Sequence, residues 1–238
     1  MIRIEHLFKS FSGQVVLDDI NLEVNKGEIL FILGESGTGK SVLLKHMMGL
    51  LKPDRGQIQI NGKEITRLSE KELLKMRKSI GYLFQDAALY DFMNVFENIA
   101  FPLQEHTEYD QKTIAQKVKS ILEMVDLKGV EQKYPSELSG GMKKRVGLAR
   151  AIVLDSNVLF CDEPTSGLDP IRSRDISDLI KDVSKKINCT TVVTSHDIGN
   201  AFRIADRLVL IHRGKIVANG TQAQLEASSD AFVKEFVG

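Results

Sequence analysis

Four short runs are apolar almost without interruption: residues 29–33 (ILFIL), 158–161 (VLFC), 190–194 (TTVVT) and 207–211 (RLVLI). Runs of this length with no polar side suit strands buried on both faces, so they predict a central, largely parallel sheet. Between them, apolar positions recur at helical spacing over 40–50, 112–125, 140–154, 171–186 and 197–205. That pattern predicts helices on each side of the sheet, an α/β fold. The first thirty residues are β-rich instead, with IRIEHLF and INLEV joined by turn chemistry in SFSGQ. Ser-Glu-Lys-Glu at 69–72 opens another helix, with Ser69 as cap and Glu72 reaching back to it. From about 87 to 150 the pattern is helix-dominated and breaks the α/β alternation, as an inserted helical lobe would.

Composition narrows the picture. The 238 residues suffice for one large domain or two small ones. Lys and Arg total 32, as do Asp and Glu, which argues against non-specific nucleic-acid binding; no nucleic-acid partner is expected. The two cysteines, Cys161 and Cys189, sit in apolar runs and read as buried thiols, and Cys and His show no metal-ligand spacing. The N-terminus lacks a signal-peptide core, and the apolar runs are far short of a membrane span. A soluble, cytoplasmic protein is expected, reaching a membrane only through a partner.

The sharpest chemistry is GESGTGKS at 34–41, which fits G-x-x-x-x-G-K-[ST] and lies between a strand and a helix pattern. Glycines at Gly34, Gly37 and Gly39 let the backbone curl so that N–H groups, including those of Glu35, Ser36 and Thr38, face phosphate oxygens. The following helix adds its positive N-terminal end. Lys40 is expected on the β- and γ-phosphates, and the Ser41 hydroxyl on Mg2+.

A second constellation, CDEPTSGLDP at 161–170, sets two acids at the end of a buried strand. Asp162 is expected to hold Mg2+ through water or from the second shell, and Glu163 to polarise the attacking water. His196 ends another apolar strand, where an open α/β sheet places its ligand, and could contact the γ-phosphate.

LSGGM (138–142), taken with GESGTGKS, CDEP, SGLD and TSH, resembles the ATP-binding subunit of ABC transporters over nearly the whole chain. The resemblance implies a P-loop, RecA-like core with a mostly parallel sheet, an N-terminal antiparallel β-subdomain and an inserted helical subdomain. The whole chain, 1–238, would be one ATP-binding domain, with the core over about 1–86 plus 155–238 and the helical part over about 87–154. It also implies that Phe11 stacks on adenine and that Gln85 links Mg2+ and the γ-phosphate to a permease. Two copies would pair head to tail, with Ser139, Gly140, Gly141 and Asp169 of one completing the ATP site of the other. ATP, Mg2+, a second copy and transmembrane permease subunits are therefore expected.

Residues 83–107 and 136–152 resemble the ATPases of Mla-type phospholipid transporters, and Lys144 before Arg145 favours that branch. This implies phospholipid transport, a lipid-binding capture subunit, possible regulation by a small subunit, and a place on the cytoplasmic face of the inner membrane. Another cargo, such as a lipoprotein or small solute, and a non-transport regulatory ATPase stay open as alternatives. Leu89, Tyr90, Phe92, Val95 and Phe96 suit a groove for a permease helix, or the lobe's own core. Lys143, Lys144 and Arg145 are expected to pair structurally and to form a solvated face.

Overall fold

The protein is described from a computed structural model, which covers residues 2–238. Along the chain come β1 (Ile2–Phe11), β2 (Gln14–Val24), β3 (Ile29–Leu33), α1 (Lys40–Met47), β4 (Arg55–Ile60), β5 (Lys63–Glu64) and α2 (Glu70–Arg77). Then follow β6 (Ile80–Leu83), α3 (Val95–His106), α4 (Gln111–Met124), a short 3-10 turn (Pro135–Glu137), α5 (Gly140–Ile152), β7 (Val158–Asp162) and α6 (Pro170–Lys186). The chain closes with β8 (Thr190–Ser195), α7 (Ile198–Ile204), β9 (Arg207–His212), β10 (Lys215–Gly220), α8 (Gln222–Glu226) and α9 (Ala231–Val237). It divides into two compact units, 1–77 with 190–238, and 78–189.

In the first unit, β1 pairs antiparallel with β2 and β4, and β4 with β5. Ser12 and Gly13 join β1 to β2 with φ of 49° and 82°. Phe11 pairs directly with Gln14, so this is a two-residue turn with both central residues left-handed, the type whose twist matches a hairpin. Elsewhere in this unit β3 lies between β8 and β9, parallel to both, and β10 runs antiparallel to β9. Every residue of β3 and of β8 is buried, which is why both read as continuous runs rather than alternations.

In the second unit, β6 and β7 pair in parallel. Helix α4 buries Ile114, Val118, Ile121 and Leu122, a single stripe at helical spacing. Helix α5 buries Val146, Leu148, Ala149 and Ile152.

The helices expected at 40–50, 112–125, 140–154, 171–186 and 197–205 form with ends shifted by three residues or fewer. One local detail differs. Glu72 accepts the Ser69 N–H at 2.9 Å as expected, but the Ser69 hydroxyl donates to the same carboxylate at 2.7 Å rather than receiving a helix N–H. Helix α3 carries Pro102 inside it, a residue that usually stops helices. It persists because Asn94 caps it reciprocally with Glu97 and because Val95, Ile99, Ala100 and Leu103 are buried.

Candidate functional site

In the first unit, Leu33 of β3 pairs with Ser195 of β8 and with Leu210 of β9. Residues 34–41 and His196 therefore leave the carboxyl ends of neighbouring parallel strands, the position where open α/β sheets bind ligands. Close approach explains the first glycine: a Cβ on Gly34 would sit 2.5 Å from the Ile211 carbonyl oxygen. Gly39, at φ 97°, is the N-cap of α1 and offers no side chain to the helix mouth. The first turn of α1 holds no acid, so no carboxylate competes for its N–H groups or offsets its dipole.

Lys40 is buried, and its Nζ donates to the carbonyls of Gly34 at 2.8 Å and Glu35 at 2.9 Å. Thr38 Oγ1 donates to the Glu35 carbonyl at 2.9 Å, which tightens the loop. Ser36 and Gly37 are exposed at its tip, and Ser41 is half-buried on α1. Phe11 is exposed at the end of β1, with Lys9 Nζ 5.2 Å from its ring centre. His196 is exposed, and the next residue, Asp197, caps α7 through the Asn200 N–H at 3.0 Å.

In the second unit, Leu83 pairs with Cys161, so Gln85 and the acidic pair leave the same end of β6 and β7. Asp162 is 8% exposed and accepts a hydrogen bond from the Tyr82 hydroxyl at 3.1 Å. Burial, reinforced by the Asp162 carboxylate, pushes the Tyr82 phenol well above its ordinary range, so it stays a donor. Burial likewise raises the Cys161 thiol; it and Cys189 are free, buried cysteines.

Glu163 follows with φ 45°, a left-handed backbone that a side chain tolerates at a cost of about 1 kcal/mol or more. Ser166 N donates to the Glu163 carbonyl at 3.1 Å, and Gln85 Nε2 donates to Ser166 Oγ at 3.2 Å. The loop after β6 and the loop after β7 are thus tied together.

Ser139 caps α5, its Oγ accepting the Met142 N–H at 3.4 Å, which leaves the hydroxyl proton to donate elsewhere. Neither Gly140 nor Gly141 has positive φ, and a Cβ on Gly141 would meet nothing nearer than Arg172 Cδ at 3.9 Å. Nothing inside the chain requires a glycine at 141, whereas a Cβ on Gly140 would press to 3.2 Å from Leu168 Cδ2. Asp169 caps α6 by accepting the N–H groups of Ile171 at 3.1 Å and Arg172 at 3.0 Å. Those backbone bonds, Arg172 first, hold its carboxyl below the usual carboxylate range.

The groove residues divide: Val95 is core at 1% exposed, whereas Phe92 is 75% exposed. The expected solvated face at Lys143–Arg145 is corrected at Lys144, which is 6% exposed because α5 turns that position toward the loop after β6. Sequence reasoning did not find Tyr82 or Ser166. No local spacing marks either, since each acts through a partner distant in sequence.

Among the described residues, none of the helices is long and apolar enough to cross a membrane, and no group of three or more His, Cys, Asp or Glu could hold a metal alone.

The ABC transporter family matches residues 17–166. The chain is 43% identical over 236 residues to a probable ribonucleotide transport ATP-binding protein, mkl, of Mycobacterium leprae, covering 99% of this chain and 68% of that protein. It thus spans about two thirds of the length of mkl. It is also 43% identical over 237 residues to the intermembrane phospholipid transport system ATP-binding protein MlaF of Haemophilus influenzae, covering all of this chain and 90% of MlaF. Among solved structures it matches the ATP-binding cassette MJ0796, a dimer in a post-hydrolysis state bound to ADP and Pi. That match has a TM-score of 0.85 at 28% identity and covers 93% of this chain and 98% of that one. The chain belongs to the ABC transporter family, as one of its ATP-hydrolysing subunits.

Proposed function

We propose that this chain energises a membrane permease that moves phospholipid between membranes, working as a homodimer on the cytoplasmic face of the inner membrane. The observation that carries this reading is the 43% identity to MlaF over essentially the full length of both chains. The permease, a lipid-binding capture subunit and a small regulatory subunit belong to the same proposal. The mkl protein, equally similar, is named for ribonucleotides, so a ribonucleotide or other solute cargo is the second reading.

The residues suit ATP with Mg2+. The uncapped, acid-free mouth of α1 and the Lys40 ammonium fit phosphate oxygens. Ser41 in the first unit, and Gln85 and Asp162 in the second, each offer an oxygen of the kind accepted by a cation that takes most of its ligands from phosphate and water. When bound, Mg2+ would offset charge on the β- and γ-phosphates.

In this mechanism Lys40 exchanges the Gly34 and Glu35 carbonyls for phosphate oxygens, while the 34–41 backbone N–H groups wrap the phosphates and Phe11 stacks on adenine. Glu163 takes hydrogen-bond hold of the attacking water, with its strained backbone aiming the carboxylate. His196 holds the γ-phosphate.

Ser139, Gly140, Gly141 and Asp169 act on the nucleotide of the second copy. Gly141, with room to spare for a side chain it does not carry, supports that role, because a bare helix mouth lets another molecule's phosphate approach the backbone. ATP then favours the closed pair by contacts made only when closed. Phe92 and Tyr90 present an apolar face to the permease. They stand on a loop fastened by the fully buried Asn98, whose Nδ2 donates to the carbonyls of Tyr90, Met93 and Asn94.

The test is to recover the complex from native membranes by a tag on this chain. A permease co-purifying with phospholipid supports the reading, and a permease that retains ribonucleotide instead supports the second. Glu163→Gln is expected to keep ATP binding and abolish turnover; wild-type turnover in that variant refutes the catalytic assignment.

A further inference from the structure

Helix α5 does more than carry the signature residues at its start. One stripe along it grips the loop that follows β6. Lys144 Nζ donates to the Gln85 carbonyl. One turn on, Gly147 faces Leu83 and Ala87 so closely that a Cβ there would lie 2.9 Å from Leu83 Cδ1 and 3.0 Å from Ala87 Cβ. A turn later, Arg150 donates to the carbonyls of Ala87 and Ala88, each at 2.8 Å. Ala87 and Ala88 both hold left-handed backbones, at φ 59° and 46°, so this loop is strained and needs holding.

Lys144 is the unusual member of the stripe. It is 6% exposed. Burying an ammonium is costly unless it is hydrogen-bonded and offset by opposite charge. Burial lowers its pKa, and the neighbouring Asp86 and Glu163 carboxylates oppose that fall. The same nitrogen therefore lies in the field of the acid assigned to the attacking water.

Bonds continue in both directions. Ser139 sits five residues before Lys144 on the same rigid helix, a rise of about 7.5 Å. Gln85 Nε2 reaches Ser166 Oγ, and Ser166 N reaches the Glu163 carbonyl.

Resting on the function proposed above, we propose that Lys144 is a positioning residue for hydrolysis: it clamps Gln85 to the signature helix, so that the helix start, Gln85 and the Glu163 loop move as one body. Engagement of Ser139 by a second copy's nucleotide is thereby linked to the placement of Gln85 and Glu163 within the same chain.

The test compares Lys144→Met, which fills the space without charge, with Lys144→Arg, which keeps charge and reach. Both are assayed in the complex recovered from native membranes, for kcat and KM with ATP, for melting temperature, and for amide exchange over 86–89. Lys144→Met is expected to leave KM within about two-fold and lower kcat about ten-fold, to melt near wild type, and to exchange faster over 86–89. Lys144→Arg is expected to restore most of kcat. That split and that rescue are not what loss of general stability produces.

A Lys144→Met kcat within about two-fold of wild type overturns the inference, and so does an arginine variant as slow as the methionine one. If Lys144→Met does not fold, Lys144→Leu, which likewise removes the donor and the charge, is judged by the same criteria. Glu163→Gln run alongside separates the two readings. An active Lys144→Met beside an inactive Glu163→Gln overturns this inference alone, whereas wild-type turnover by Glu163→Gln overturns the proposed mechanism and this inference with it.

Discussion

Gly141→Ala should separate stability from activity. Gly141 is the second residue of α5, has no positive φ, and has no heavy atom nearer to a new Cβ than Arg172 Cδ at 3.9 Å. That is ordinary van der Waals contact, so the methyl group fits. Alanine also lowers the conformational entropy of the unfolded chain and suits a helix better than glycine, worth about 0.5 kcal/mol here. For a chain of this size the melting temperature should rise by roughly 1–2 °C. Turnover should fall at least about ten-fold, because in the proposed pairing the methyl group stands where a second copy's γ-phosphate approaches the backbone N–H groups. Thermal melting and steady-state ATP hydrolysis on the same preparation test both halves. A raised melting temperature with turnover within about two-fold of wild type refutes the claim that the glycine pair is kept bare for a nucleotide. A fall in melting temperature refutes the claim that the chain itself has room there.

Two further predictions concern stability. Asn98→Ala removes the two amide N–H donors shared among three backbone carbonyls and the acceptor for the Tyr90 N–H at 2.9 Å, all around a fully buried side chain. It should cost about 3 kcal/mol, lower the melting temperature by roughly 6–12 °C, and quicken amide exchange over 90–94; an unchanged melt refutes this. His46 is 1% exposed, and burial lowers its pKa, partly opposed by its bond to the Val42 carbonyl. The unfolded chain therefore binds a proton at His46 that the folded chain resists. Its contribution to stability is complete above about pH 6.5 and declines as pH falls through the window below. His46→Phe should flatten the stability profile across that window in chemical denaturation, and an unaltered slope refutes the assignment.

Much of this molecule was legible along the chain. Strands buried on both faces reveal themselves as apolar runs, as β3, β7, β8 and β9 do, because no alternation is needed when both sides are dry. The loop at 34–41 was legible for a similar reason. Its requirements are local: a glycine where the Ile211 carbonyl crowds the backbone, a glycine that leaves α1 uncapped, and a lysine long enough to fold back over the loop. Helix α3 was harder, since Pro102 argues against a helix locally while Asn94, Glu97 and a buried face argue for one.

The pattern of residues determined which chemistry the chain carries, because phosphate binding and helix caps depend on neighbours a few positions apart. Only the tertiary structure decided the state of groups whose partners lie far along the chain. Lys144 reads as one of three surface cations until α5 is seen to press it onto Gln85, 59 positions away. Tyr82 is an ordinary strand aromatic until β7 brings Asp162 to its hydroxyl, and Glu163 gives no hint in sequence of its left-handed backbone. Burial and charge environment are set by which elements pack together, a property no short window of sequence contains.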